Sequence, residues 1–122
     1  LAELLARVRA QLRRSGAAPA TLRFAGIEID AERRLVSVDG EPVRLTPTEF
    51  AILELLARRA GKPVTLRQIV AKVWHGAAGT SDDTVRVHVG TLRRKIERDG
   101  GGPRFVLTEP WVGYRFIAEP LA

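Results

Sequence analysis

The sequence has no cysteine and only two histidines, His75 and His88. Disulfides and thiol chemistry are therefore excluded, and two separated histidines make no Cys/His zinc site. Aromatic residues are sparse at 6%, which argues against a nonspecific single-strand or RNA binder built on several stacking platforms. No apolar run approaches the roughly 20 residues of a membrane helix. The first ten residues mix Glu3, Arg7 and Arg9 among leucines, unlike a signal peptide. There is no Ser/His/Asp ordering in a motif context and no glycine-rich loop opening a helix. Gly100-Gly101-Gly102 follows a helical pattern and reads as a connector. An enzyme is not expected, and no catalytic residue, metal or cofactor is assigned.

What the 122 residues do contain is ordinary for one folded domain: 45% hydrophobic and 28% charged. The charge is unbalanced. Twenty Lys and Arg oppose fourteen Asp and Glu, a net +6, and most of the bases are Arg, which forks onto phosphate and guanine edges. A basic domain of this size suggests an anionic partner, nucleic acid above all. The alternative is a basic but inert surface. The start at Leu1 rather than Met reads as a piece cut from something longer.

Residues 1–14 show leucine and valine at helical spacing, and residues 15–21, with Pro19, read as a linker. Residues 22–45 alternate as short strands, with Gly26 as a bend and Asp39-Gly40 as a hairpin turn. Thr46-Pro47-Thr48-Glu49 combines an N-cap, a first-turn proline and a capping box, and Gly61 closes that helix. Thr65-Leu66-Arg67-Gln68 repeats the box and starts a helix to Trp74. A loop of His75, Gly76, Ala77, Ala78, Gly79 and Thr80 precedes a third helix over 81–99, with Ser81, Asp82 and Asp83 at its positive end. Residues 105–108 and 114–117 read as a terminal hairpin, with Trp111 at its turn and more often packed on the domain than exposed.

The third helix carries the chemistry. At 100° per residue, Val89, Leu92 and Ile96 fall within about 40° of Val85 and form one apolar seam. The opposite face holds Val87, Gly90, Thr91 and Arg94. Arg86 and Arg93 flank it on one side, and His88 sits nearer the core edge. Small residues let a helix sink into a groove, Arg reaches guanine or phosphate, and Thr and Val meet a thymine methyl. An arginine-rich solvated face is the bland alternative. A helix, a loop, a basic third helix and a hairpin make the winged-helix order, with the third helix in the major groove and the hairpin (105–117) on flanking backbone or minor groove.

Several stretches resemble the DNA-binding output domain of OmpR/PhoB-family response regulators. They are Leu45-Thr46-Pro47-Thr48-Glu49-Phe50, Val73-Trp74, Thr84-Val85-Arg86-Val87-His88-Val89, Leu92-Arg93-Arg94-Lys95-Ile96 and Val112-Gly113-Tyr114-Arg115-Phe116. They fall in the family's order and spacing across about 22–118. Residues 1–14 resemble the last helix of the family's phosphoacceptor receiver domain, and 119–122 form a C-terminal tail. Arg86 with Gly90, and Leu107-Thr108-Glu109, resemble Kdp-type regulators.

The resemblance implies an α+β winged helix-turn-helix with an N-terminal antiparallel sheet, a three-helix core and a C-terminal wing. It implies a cytoplasmic bacterial regulator of transcription that dimerises on direct-repeat double-stranded DNA. A sensor kinase would act through a receiver domain not contained in this chain. RNA polymerase would meet the loop from His75 to Thr80. DNA contacts carry over to Thr84, Arg86, Val87, His88, Gly90, Thr91, Arg93 and Arg94, a phosphate contact to Trp74 and a wing contact to Thr108. Three features depart from the family. Gly90 and Thr91 stand where many relatives have bases. Glu109-Pro110-Trp111 replaces a Val-Arg-Gly wing tip. The receiver's phosphorylated Asp is absent. A winged helix that binds protein instead of DNA would usually lack the basic outer face.

Overall fold

The computed structural model describes residues 20–97 and 102–121. The expected N-terminal helix, most of the expected linker, and Gly100 and Gly101 lie outside them. In chain order the described residues form β1 (Thr21–Phe24), β2 (Ile27–Asp30), β3 (Leu35–Val38), β4 (Glu41–Val43), α1 (Pro47–Arg58), β5 (Pro63–Thr65), α2 (Leu66–Val73), α3 (Asp82–Ile96), β6 (Val106–Glu109) and β7 (Gly113–Phe116). The strands make an antiparallel meander, β1-β2-β3-β4, and a second antiparallel sheet in the order β5-β7-β6. This is the α+β winged helix-turn-helix expected from the sequence.

Each helix begins where its sequence carries a local acceptor for free backbone N–H groups. The Thr46 hydroxyl accepts from Glu49 N at 3.1 Å, and the Glu49 carboxylate accepts from Thr46 N at 2.9 Å. Thr65 and Gln68 repeat the exchange at 3.0 and 2.8 Å. Ser81 Oγ accepts from Thr84 N at 3.2 Å. The two helical ends differ from expectation. Trp74 is the C-cap of α2 rather than its last turn. α3 stops at Ile96, short of the expected residue 99, with Glu97 as its C-cap.

The carboxylate of Glu97 explains that stop. It accepts from the backbone N–H of Arg104 at 2.7 Å, Phe105 at 3.1 Å and Val106 at 3.0 Å. One side chain at the helix exit therefore fixes the entry into β6, so the wing starts at a set distance from α3.

The sheets also depart in detail. The first apolar alternation is two strands folded at Ala25-Gly26, with Phe24 opposite Ile27, and β1 opens at Thr21, inside the expected linker. Gly26 has φ +88°, and a Cβ there would collide with the Arg104 guanidinium. Arg104 forks onto Asp39 at 2.9 and 3.0 Å and lies 4.8 Å over the Phe105 ring, strapping the first sheet to the wing entry. β5 was not anticipated. It has only three residues, yet its Val64 pairs with Tyr114 and carries the second sheet onto the helices. The 119–121 segment is docked rather than loose: Leu121 N donates to Arg23 O at 2.9 Å, and Pro120 bridges to Phe24.

The core lies between the sheets and α1. Phe50, Ile52, Leu53 and Leu56 of α1 are buried with Ile29 and Val38 on one side and Phe105 and Phe116 on the other. Phe24 meets Phe116 edge-on at 4.6 Å between centroids.

One buried charge joins α1 to α3. Glu49 is almost fully buried, and Lys95 Nζ donates to its Oε1 at 2.7 Å. Burial pushes the Glu49 carboxyl up. Lys95, the Thr46 N–H and the Thr91 hydroxyl outweigh that and hold it below its ordinary value of 4.5. Its folded value is thus depressed, so its contribution is present above 4.5 and is lost as pH falls through the folded value. Glu49→Gln, which keeps an oxygen for the cap but loses the charge, should cost about 1–2 kcal/mol at neutral pH. The gap to the parent chain should close in acid. Urea unfolding of both proteins across pH checks this, and a gap independent of pH would mean the charge at Glu49 is irrelevant.

Candidate nucleic-acid interface

α3 packs on α1 through the seam anticipated from its periodicity: Val85, Val89, Leu92 and Ile96 are all buried. The three remaining faces differ in what they touch.

The face toward α1 and α2 carries Thr84, His88, Thr91 and Lys95. The Trp74 ring lies 5.5 Å from His88 at a 58° tilt. Thr91 does not sit on the outward face as expected. It is partly buried, and its hydroxyl donates to His88 O at 3.0 Å. The helical wheel placed Thr91 far from the seam, but α1 covers more of the helix than the seam alone.

The face toward the wing carries Arg86 and Arg93. Arg93 Nη1 donates to Thr108 Oγ1 at 2.8 Å. Two residues singled out as separate contacts are thus one bridge between α3 and β6. Arg86 Nη1 reaches Asp83 at 3.2 Å one turn earlier, an exposed pair. Beneath both lies the buried Tyr114. Burial pushes its phenol above the ordinary value against the opposing field of Arg86 and Arg93, so it stays neutral under two cations.

The outward face is left to Asp83, Val87, Gly90 and Arg94. Val87 is 63% exposed, so its methyl groups are open to contact on that face. Arg94 bends back over Gly90 and donates to its carbonyl at 3.4 Å. A Cβ built on Gly90 would meet nothing nearer than Arg94 Nη2 at 3.9 Å. The protein itself gives no packing reason for glycine there, although glycine costs a helix interior about 1 kcal/mol relative to alanine.

Past the C-cap of α2, His75, Gly76, Ala77, Ala78 and Gly79 are exposed and Thr80 is partly so. His75, Gly76 and Gly79 have φ of 53°, 71° and 90°. The loop is held by Gly76 N to Val70 O at 3.1 Å and Ala77 N to Trp74 O at 2.9 Å. It presents methyl groups and backbone with no acid or base other than His75.

Trp111 overturns its expectation. It is fully exposed rather than packed on the domain. The reason is the turn: Val112 N donates to Glu109 O at 3.1 Å, and Trp111 takes φ +67°, which aims its side chain off the hairpin. Sequence reasoning also missed Glu97 and Arg104. Neither lies in a motif: Glu97 acts on backbone beyond the end of its helix, and Arg104 on a carboxylate 65 residues away. Among the described residues no group of three or more His, Asp or Glu is placed to hold a metal, and no helix is long and apolar enough to cross a membrane.

Residues 40–116 match the family model described as "Transcriptional regulatory protein, C terminal". The chain is 44% identical over 121 residues to the transcriptional regulatory protein KdpE of Mycobacterium tuberculosis, covering 95% of this chain and 53% of that protein. It thus spans about half the length of the curated relatives it matches. Its fold is similar to the response regulator DrrB of Thermotoga maritima, described as an OmpR/PhoB homolog. The TM-score is 0.77 at 34% identity, over 93% of this chain and 51% of that one. It is also similar to the DNA-binding domain of RstA from Klebsiella pneumoniae, solved in complex with the RstA box. There the TM-score is 0.72 at 27% identity, over 81% and 98%.

Gly90→Ala separates stability from recognition. It should stabilise the fold by about 0.5–1 kcal/mol through helix propensity. It should also weaken duplex DNA binding by holding the α3 backbone away from a groove. Denaturant melts and fluorescence anisotropy report the two effects. Unchanged affinity would show that nothing approaches the helix at Gly90.

Proposed function

Because the chain belongs to the OmpR/PhoB family of response regulators, as its C-terminal DNA-binding domain, we propose that it reads a specific duplex DNA site with α3 and grips the flank with its wing. The single observation that carries this reading is the surface that α3 leaves to solvent: Val87 and Arg94 exposed about Gly90 on the outward face, with exposed Arg86 at its wing edge, on a helix whose opposite face is buried. The family is one of DNA-binding transcription regulators, not of enzymes.

The roles follow from position. Arg86, Val87 and Gly90 lie in the half of α3 that would meet base edges, with Thr84 and His88 at its margin. Arg94 lies about two turns further and reaches backbone phosphate. Arg93 and Thr108 hold wing to helix and turn their remaining donors to the same strand. Trp74, beside His88, would meet phosphate with its indole N–H. Thr91 contributes through the α3 backbone rather than through a base. The exposed Arg86–Asp83 pair is weak, so Arg86 is free to exchange a carboxylate for guanine.

The wider assignment rests on the family. Residues 1–14 are the end of a receiver domain and 15–20 its linker, and the DNA-binding domain runs from Thr21, where β1 opens, through the docked 119–121 segment. The parent protein is phosphorylated by a sensor kinase and dimerises on direct-repeat DNA. The loop from His75 to Thr80 meets RNA polymerase through its exposed alanines and backbone. Its similarity to KdpE proteins favours a Kdp-type branch.

Arg86→Ala and Arg94→Ala test the division between reading and gripping. Arg86→Ala should cost about 1–3 kcal/mol on a selected site and relax preference at one or two base pairs. Arg94→Ala should weaken selected and scrambled duplexes alike and lower the salt slope by about one unit. Neither should unfold the domain, since both side chains point away from the seam. Titration of both variants against both duplexes over a range of salt decides it. An equal loss for Arg86→Ala on the two duplexes would move Arg86 to the phosphate contacts.

A further inference from the structure

We propose that Trp111 is an apolar wedge, which enters the minor groove beside the site read by α3 and opens a base step there. The inference rests on the DNA-binding reading above and adds a residue, a groove and a deformation to it.

The local geometry is costly and unrelieved within the protein. Glu109-Pro110-Trp111-Val112 is a turn closed by Val112 N on Glu109 O at 3.1 Å, with proline second and Trp111 third at φ +67°. That third place of a type II turn favours glycine, and a bulky side chain there is strained. The strain gains no packing, since the indole is fully exposed. A large ring held in solvent by a strained backbone is arranged for contact with something outside the chain.

Position and charge identify the occupant. The wing is tied to α3 at Arg93–Thr108 and Glu97, so its tip keeps a fixed offset from the helix. An open cavity of about 350 Å³ separates the tip from the N-terminal half of α3, with Asp82, Arg86, Thr108, Trp111 and Tyr114 on its walls. With that half of α3 in the major groove, the tip falls over the neighbouring minor groove. From Phe105 to Gly113 the wing has no Lys or Arg, so it offers that groove no cation. Its one acid, Glu109, is paired with Arg115 at 3.2 Å and does not repel phosphate as a bare charge would. An aromatic ring with one N–H donor remains. Apolar side chains of this kind wedge between base steps from the minor groove, and the indole N–H suits the acceptors on its floor. Flexible pyrimidine–purine steps are the favoured place.

Trp111→Gly tests the proposal, because glycine relieves the backbone while removing the ring. The melting temperature should stay the same or rise. Affinity for a duplex selected by the unaltered chain from a random pool should fall about tenfold, the scale of one base–aromatic stack. Saturating duplex should quench tryptophan emission more strongly in the unaltered chain than in Trp111→Gly, where only Trp74 at the edge of the interface remains. Energy transfer between dyes on the duplex ends should show a smaller bend with the variant. Unchanged affinity, unchanged quenching or an equal bend would overturn the wedge. So would dimerisation of the unaltered chain without DNA that is lost in Trp111→Gly, which would assign the ring to a second copy. If the unaltered chain selects no duplex at all, the DNA-binding reading itself fails, and that result is distinct from a failure of Trp111 alone.

Discussion

The seam of Val85, Val89, Leu92 and Ile96 is the constraint on which the molecule turns. Full burial of such side chains contributes about 1.5–3 kcal/mol each, and the rest of α3 is polar or cationic. The helix is therefore anchored by one narrow apolar stripe, its flanks meet α1, α2 and the wing, and its outward face with Val87, Gly90 and Arg94 is free to serve another end. A stripe alone would let the helix roll. Two carboxylates stop this: Glu49 takes Lys95 on the α1 side, and Glu97 takes the wing entry on the other. Both are part-buried, so their bonds are hardly screened by salt. The orientation of the outward face is thus set by groups that a bound polyanion would not reach.

Departures from local rules gather on the side left open. Gly90 sits in mid-helix with room for a side chain, Val87 is exposed, and Trp111 holds a backbone angle suited to glycine. Each is unfavourable for the isolated domain. Local rules are met at the capping boxes of Thr46 and Thr65, at the Asp39-Gly40 hairpin and by the acids at the start of α3, while Arg34 and His75 also take positive φ. Where such departures lie together beside an open helix face, that face has a second requirement to meet.

How much of this was legible in the sequence follows from the range of each interaction. The caps at Thr46-Glu49 and Thr65-Gln68 lie within four residues and were readable directly. The α3 seam has a period and was readable as well. β5 was not, because three residues hold no period and its partner β7 lies far along the chain. Lys95 and Glu49 are 46 residues apart, and nothing local marks them as a pair. Thr91 was misplaced because a wheel gives angles but not which neighbour fills them. Trp111 was misjudged because an aromatic's usual fate is burial, and the turn that forbids it here depends on one left-handed residue.

The interface also separates weak pairs from strong ones. Asp82 and Asp83 suit the positive end of the free helix, yet they stand where phosphates would approach. Asp83 is held by Arg86 in an exposed pair, of a kind that contributes about 0–1 kcal/mol. Exchanging it for a base or phosphate therefore costs little, and the Asp83 carboxylate is released to water. The Glu49–Lys95 pair and the Glu97 bonds would cost far more to break, and they lie off the contact surface. The domain can thus rearrange its outward charges on binding without moving the helix that carries them.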